Sequence, residues 1–192
     1  MNRYIASIIF ILAVIAAAGY YFFTSHWEHR FDEIISRQAR VFSIDEALVW
    51  SLIYEETYFR TTATGANGEI GLMQVTPLVA RDWAKATGLS AFERQASENV
   101  VELLQNPERN VQIGCWYLEK LRAGYRARPA ESAMMLAAYN AGPSRVQEWT
   151  VGIDAATITE SDFIARIGID STKKYVSSIL QRYRAVSTQT KK

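Results

Sequence analysis

One cysteine in 192 residues excludes any intrachain disulfide. Cys115 sits in Ile113-Gly114-Cys115-Trp116-Tyr117-Leu118, the setting of a small core residue rather than of a nucleophile. The two histidines, His26 and His29, lie together near the N-terminus, so no Cys/His spacing suited to zinc exists. An excess of one charge is missing as well. Outside the first 23 residues, whose only charged side chain is Arg3, basic and acidic residues balance. That balance lacks the basic footprint of nucleic-acid binding. Alternating strand patterns are nearly absent, with room for at most a small strand element in residues 60–75, and internal repeats and low-complexity runs are not seen, which leaves a mainly helical reading.

The uncharged run from Tyr4 to Phe23 is long enough to span the roughly 30 Å apolar core of a bilayer. Tyr20 to Phe23 would form an aromatic belt at its far side. Ala16-Ala17-Ala18 before Gly19 resembles a signal-peptide cleavage site, but the run stays apolar beyond it, which favours an uncleaved anchor. No cysteine lies nearby to carry a lipid. Arginines on both sides leave the orientation open. Residues 1–23 are therefore expected as an anchor, 24–30 as a tether, 31–186 as one domain and 187–192 as a tail.

Within the domain, Phe31 to Val41 has helical spacing, and a second helix begins near Asp45, where Ser43 and Glu46 match a capping box. At 100° per residue, Glu56 falls among Val49, Leu52 and Ile53, while Glu55 falls at the margin of that apolar arc. A carboxyl group on an apolar face is desolvated and keeps its proton near neutral pH, as a general acid must. Residues 60–75, with Gly65, Gly68 and Gly71, read as an irregular loop. Thr76-Pro77 opens a helix that stops at Gly88. Residues 89–98 read as a loop or short helix, and 99–104 as an apolar turn. Further helices are expected over 108–125, with Val111, Cys115, Leu118 and Leu121 inward, over 131–139, and over 172–186.

Four blocks, in order, resemble the soluble lytic transglycosylase domain of the goose-type lysozyme superfamily. They are Glu56-Thr57 leading to Gly71-Leu72-Met73-Gln74; Pro107 with Asn110, Gly114 and Tyr117-Leu118; Ala138-Tyr139-Asn140-Ala141-Gly142-Pro143; and Ser171-Thr172 with Tyr175-Val176. The resemblance covers residues 31–186 and implies a mainly α, lysozyme-like fold of the α+β superfamily. It also implies that Glu56 is the acid and then the base, that Gln74 and Met73 line a glycan cleft, that Tyr139 approaches the reacting sugar, and that Asn140 stands beside it. Gln supplies a donor and an acceptor for sugar groups, and Tyr a hydroxyl and a ring face.

By the same resemblance, the substrate is peptidoglycan. The MurNAc–GlcNAc bond would be cut without water to leave a 1,6-anhydro ring, with no metal or cofactor. The protein would face the periplasm or cell wall from a bacterial inner membrane, with an envelope or secretion assembly as a partner. Four departures from the pattern are Thr57 for Ser, Gly65 for Ser, Thr76 for Met and Ser171 for Glu. Two alternatives stand beside this reading. A hydrolase would need a second carboxylate, for which Glu69 is the candidate, about 6.5–9.5 Å away if inverting. A non-catalytic glycan-binding scaffold would not need a desolvated acid at all.

Overall fold

The computed structural model describes residues 3–189, and the last residues of the expected tail, 190–192, lie outside them. The described chain is helical, with two isolated antiparallel bridges, Thr64 to Ile70 and Ile70 to Val75, in place of any strand.

Helix α1, Arg3–His29, is exposed along the apolar run, and is long and apolar enough to cross a bilayer by length and composition. Residues 24–29 of the expected tether continue this helix without a break. Helix α2, Asp32–Val41, leads to α3, Glu46–Thr57. The Ser43–Glu46 capping box does not form, because Ser43 takes a left-handed φ of 53° in the turn that closes α2. Asp45 caps α3 instead, its side chain accepting from the Ala47 amide. An Asp two residues ahead serves the orphan amides as well as a Ser does.

Helix α4, Pro77–Thr87, starts and stops as the sequence indicates. Thr76 accepts from the Val79 amide, Pro77 is the first helical residue, and Gly88 turns left-handed. Both 89–98 and the apolar turn after it are helical, as α5, Ser90–Glu98, and α6, Val100–Gln105. Helix α7, Pro107–Arg122, buries Val111, Cys115, Leu118 and Leu121. Helix α8, Glu131–Ala141, is buried all round from Ala133 to Ala138, the mark of a central helix.

Gly142 ends α8 at φ 88°, yet Pro143 begins a further helix, α9, Pro143–Trp149. A proline stops the helix before it but suits the first turn of the next, and sequence reading sees only the stop. Helix α10, Glu160–Arg166, is capped by Thr159, and α11 spans Asp170–Gln189. Helix α11 packs along α3 and α8, and α2 packs along α3 and α7. The core they enclose includes Leu52, Ile53, Leu72, Leu104, Ile113 and Phe163.

Candidate functional site

Glu56 lies in the last turn of α3 and opens onto a cleft of about 410 Å³. The 60–75 loop forms one wall, with Gly65, Asn67, Glu69 and Gln74, while Tyr117, Tyr139 and Asn140 come from α7 and α8. Four of the expected residues, Glu56, Gln74, Tyr139 and Asn140, therefore meet in one place, together with Glu69.

The loop is held by its main chain. Thr57 Oγ1, buried at the end of α3, donates to the Leu72 carbonyl at 3.0 Å. Asn110, fully buried on α7, accepts from the Met73 amide at 2.8 Å and donates to the carbonyls of Ile70 and Leu104. The Tyr139 hydroxyl donates to the Met73 carbonyl at 2.7 Å. Three side chains from three helices thus fix residues 70–73 relative to Glu56, and their bonds meet the Met73 amide and the carbonyls of Leu72 and Met73 in the irregular loop. Gly71, at φ 78°, approaches so closely that a Cβ would overlap Asn110 Nδ2 and the Leu104 carbonyl. No other residue fits there.

Burial pushes the Glu56 carboxyl up to about 7, with smaller contributions from the charges of Glu69 and Glu55. One contact opposes the shift. The Tyr175 hydroxyl donates to Glu56 Oε1 at 2.6 Å, which favours the carboxylate. Glu55, one residue earlier, is paired with Arg182 at 3.0 Å, and the Arg182 guanidinium also lies over the Tyr54 ring. Of two adjacent glutamates, one has a cation and the other, among the described residues, has none. Burial and the nearby Glu56 charge hold the Tyr139 and Tyr175 hydroxyls well above the usual tyrosine range, so both remain donors.

Gln74 differs from the expectation of a free amide. It sits at φ 48°, and its Nε2 donates to the carbonyls of Gly71 and Ala63, so the loop uses its donor and the acceptor oxygen remains. The Met73 side chain is fully buried against Gly114, outside the cleft lining, and Met73 serves the site through its main chain. Asn140 is exposed, and its Oδ1 accepts from Thr172 Oγ1 at 2.7 Å, which ties α8 to α11. Glu69 accepts from the Asn67 amide and from Asn67 Nδ2, both at 3.0 Å, and these bonds hold its carboxyl below the usual range. Among the described residues no group of three or more His, Cys, Asp or Glu side chains could hold a metal.

Two contributors escape sequence reading. Tyr175 stands in the quoted final block, but its contact with Glu56 spans 119 residues of chain. Tyr117 packs at a tilt against Tyr139, ring centres 5.5 Å apart, and lines the cleft from the middle of α7.

Residues 33–160 match the family described as the Transglycosylase SLT domain. The soluble lytic murein transglycosylase of Salmonella typhimurium is 28% identical over 159 residues, which cover 81% of this chain and 23% of that protein. The membrane-bound lytic murein transglycosylase C of Histophilus somni is 34% identical over 122 residues, 61% of this chain and 32% of its own. Among solved structures, the lytic transglycosylase Slt of Pseudomonas aeruginosa, an inactive mutant, superposes with a TM-score of 0.72 at 22% identity, covering 85% of this chain and 25% of that one. The 70 kDa soluble lytic transglycosylase of Escherichia coli does so with 0.67 at 25% identity, over 84% and 26%. The chain spans 23% of the first of these relatives and 32% of the second, so the shared part is one domain of longer proteins.

Proposed function

The chain belongs to the transglycosylase SLT domain family, and on that premise we propose that it is a peptidoglycan lytic transglycosylase with Glu56 as its single acid and base. The observation that carries this reading is a carboxyl group raised to about 7, in contact with a tyrosine hydroxyl and open to a cleft. Near neutral pH such a group is present in both protonation states, which suits donation followed by removal of a proton.

Protonated Glu56 gives its proton to the oxygen between MurNAc and GlcNAc as that bond breaks. The acetamido oxygen of the same MurNAc closes on C1 and holds the positive charge. The C6 hydroxyl then attacks C1, releases the acetamido oxygen and returns its proton to Glu56. Tyr175 stabilises the carboxylate between the two transfers, and Tyr139 and Tyr117 offer ring faces to the sugars. The scheme calls for no metal or cofactor.

The N-terminal helix and the membrane-bound relative support a membrane-attached protein. In this reading residues 1–23 are a single-pass anchor in the bacterial inner membrane. Residues 24–30 join it to the 31–186 domain, and 187–192 form a tail. The domain faces the periplasm and meets glycan strands there. Envelope or secretion machinery is a further proposed partner, and a crosslinked pulldown that returns no envelope protein would remove it.

Digestion of purified peptidoglycan, read by mass spectrometry, tests the activity. The expected products are anhydro-muropeptides that disappear with Glu56→Gln. Reducing-end products heavier by one water would establish a hydrolase instead, a reading favoured only by the presence of Glu69 in the same cleft.

A further inference from the structure

Gly65 is not required by its backbone, which does not enter the left-handed region. What stands at its Cβ position is a neighbouring side chain. A Cβ built there would overlap Glu69 Oε2 and lie 2.9 Å from Gln74 Oε1. The place where residue 65 would put a side chain is filled by the carboxylate of Glu69, reaching from the facing side of the Thr64–Ile70 bridge.

That carboxylate is held in orientation. Asn67 binds one oxygen through its amide and the other through its side chain. Among the described residues Glu69 takes part in no ion pair, although it lines the same cleft as Glu56. Beside it lies the Gln74 oxygen, whose amide nitrogen is already engaged by the loop. The loop wall therefore presents acceptors and an uncompensated anion. What suits such a wall is a donor that becomes positive during the reaction.

We infer that Glu69 is a second catalytic carboxylate, which accepts the acetamido N–H of the sugar being cleaved. The inference rests on the transglycosylase reading and gives that cleft a second acting group. As the C1–O bond breaks, its electron pair leaves with the oxygen that Glu56 protonates. The acetamido oxygen bonds to C1 and the amide nitrogen becomes cationic. Its N–H bond to Glu69 strengthens at that moment, as a charge-assisted bond does. When the C6 oxygen displaces the acetamido oxygen, the amide becomes neutral again and the C6 proton passes to Glu56. No water and no oxidant enters. Around Glu56 the other ionisable groups are Glu55, paired with Arg182, and the hydroxyls of Tyr139 and Tyr175, so Glu69 is the unpaired anion that acts on it.

The test uses the full chain in detergent, with purified peptidoglycan as substrate. Glu69→Gln is expected to lower kcat by about 10- to 100-fold while the products stay anhydro. Its alkaline limb should move to lower pH, since a negative charge near Glu56 is gone. Gly65→Ser displaces the Glu69 carboxylate and should lower kcat similarly. Gly65→Ser with Glu69→Gln should then be no slower than the slower single variant, because both act on one group. Anhydro products made by Glu69→Gln within about twofold of the parent rate, with an unmoved limb, would overturn this inference and leave the transglycosylase reading intact. Water-added products from the parent would overturn the transglycosylase reading. If Glu69→Gln also abolished them, Glu69 would be a hydrolytic base and the acetamido role would fall too.

Discussion

The two sides of the C-terminal end of α3 are built on opposite terms. On the outer side several side chains reach across to backbone carbonyls and to one another. Trp27 Nε1 donates to the Tyr58 carbonyl at 2.9 Å, and Arg30 donates to the Phe59 carbonyl while its guanidinium lies over the rings of Trp27 and Phe31. The Tyr58 hydroxyl donates to Glu28, and Trp50 Nε1 to the Glu28 carbonyl at 3.3 Å. On the cleft side, one or two residues back, Glu56 has, among the described residues, a single hydroxyl donor and no cation. The outer side clamps a backbone turn in which Tyr58 and Phe59 are both left-handed. The inner side keeps a proton that a better-paired carboxyl would lose. A buttressed turn and a desolvated carboxyl are separated across one turn of helix.

Breaking the inner side should have the largest effect. Glu56→Gln removes the proton donor and should lower turnover by about 10³-fold or more, measured by release of anhydro-muropeptides. The same change should stabilise the fold above pH 7. A carboxyl raised to about 7 in the fold releases its proton near 4.5 in the unfolded chain, so stability falls as pH rises between those values. Gln does not titrate, and with allowance for water in the cleft the gain should be about 1 kcal/mol in denaturant unfolding at pH 8.

Asn110→Leu tests the support beneath the cleft. It leaves the Met73 amide without its side-chain partner and takes a donor from the carbonyls of Ile70 and Leu104, of which Ile70 keeps the Val75 amide, and should cost about 3 kcal/mol of unfolding free energy. Trp27→Ala tests the outer clamp. It should lower stability by about 1–2 kcal/mol while leaving the alkaline limb of the pH profile where it was. Tyr175→Phe should have the smallest effect and is the sharpest test of the contrast. Losing a donor to Glu56 raises that carboxyl further, so the alkaline limb should move to higher pH. An unmoved limb would show that the 2.6 Å contact has no electrical consequence.

Much of this was legible in the residues alone. The apolar arc around Glu56 and the Thr76-Pro77 start of α4 depend only on neighbours within a turn or two, and both are present. The helical reading and the family followed from blocks whose order is local. What escaped depends on contacts across the chain. Tyr175 reaches Glu56 only because α11 packs along α3. The Gln74 donor is consumed by a carbonyl eleven residues back, and the space occupied by Glu69 is visible only once Gly65 faces it. Helices α9 and α10 were missed because short helices carry too few turns to show a period.

The unbroken course of α1 into its clamp has one more consequence. A flexible leash would let the domain sweep a hemisphere, but a helix of 27 residues, about 40 Å long, behaves as a post. If about 30 Å of it is sunk in a bilayer, as the proposed anchor requires, just under two turns stand clear. The cleft would then ride close above the lipid, at a height limited by that short stretch of helix. It would reach the strands nearest the membrane, and lengthening the post by one turn would lift it about 5 Å and turn it toward a different layer of the wall.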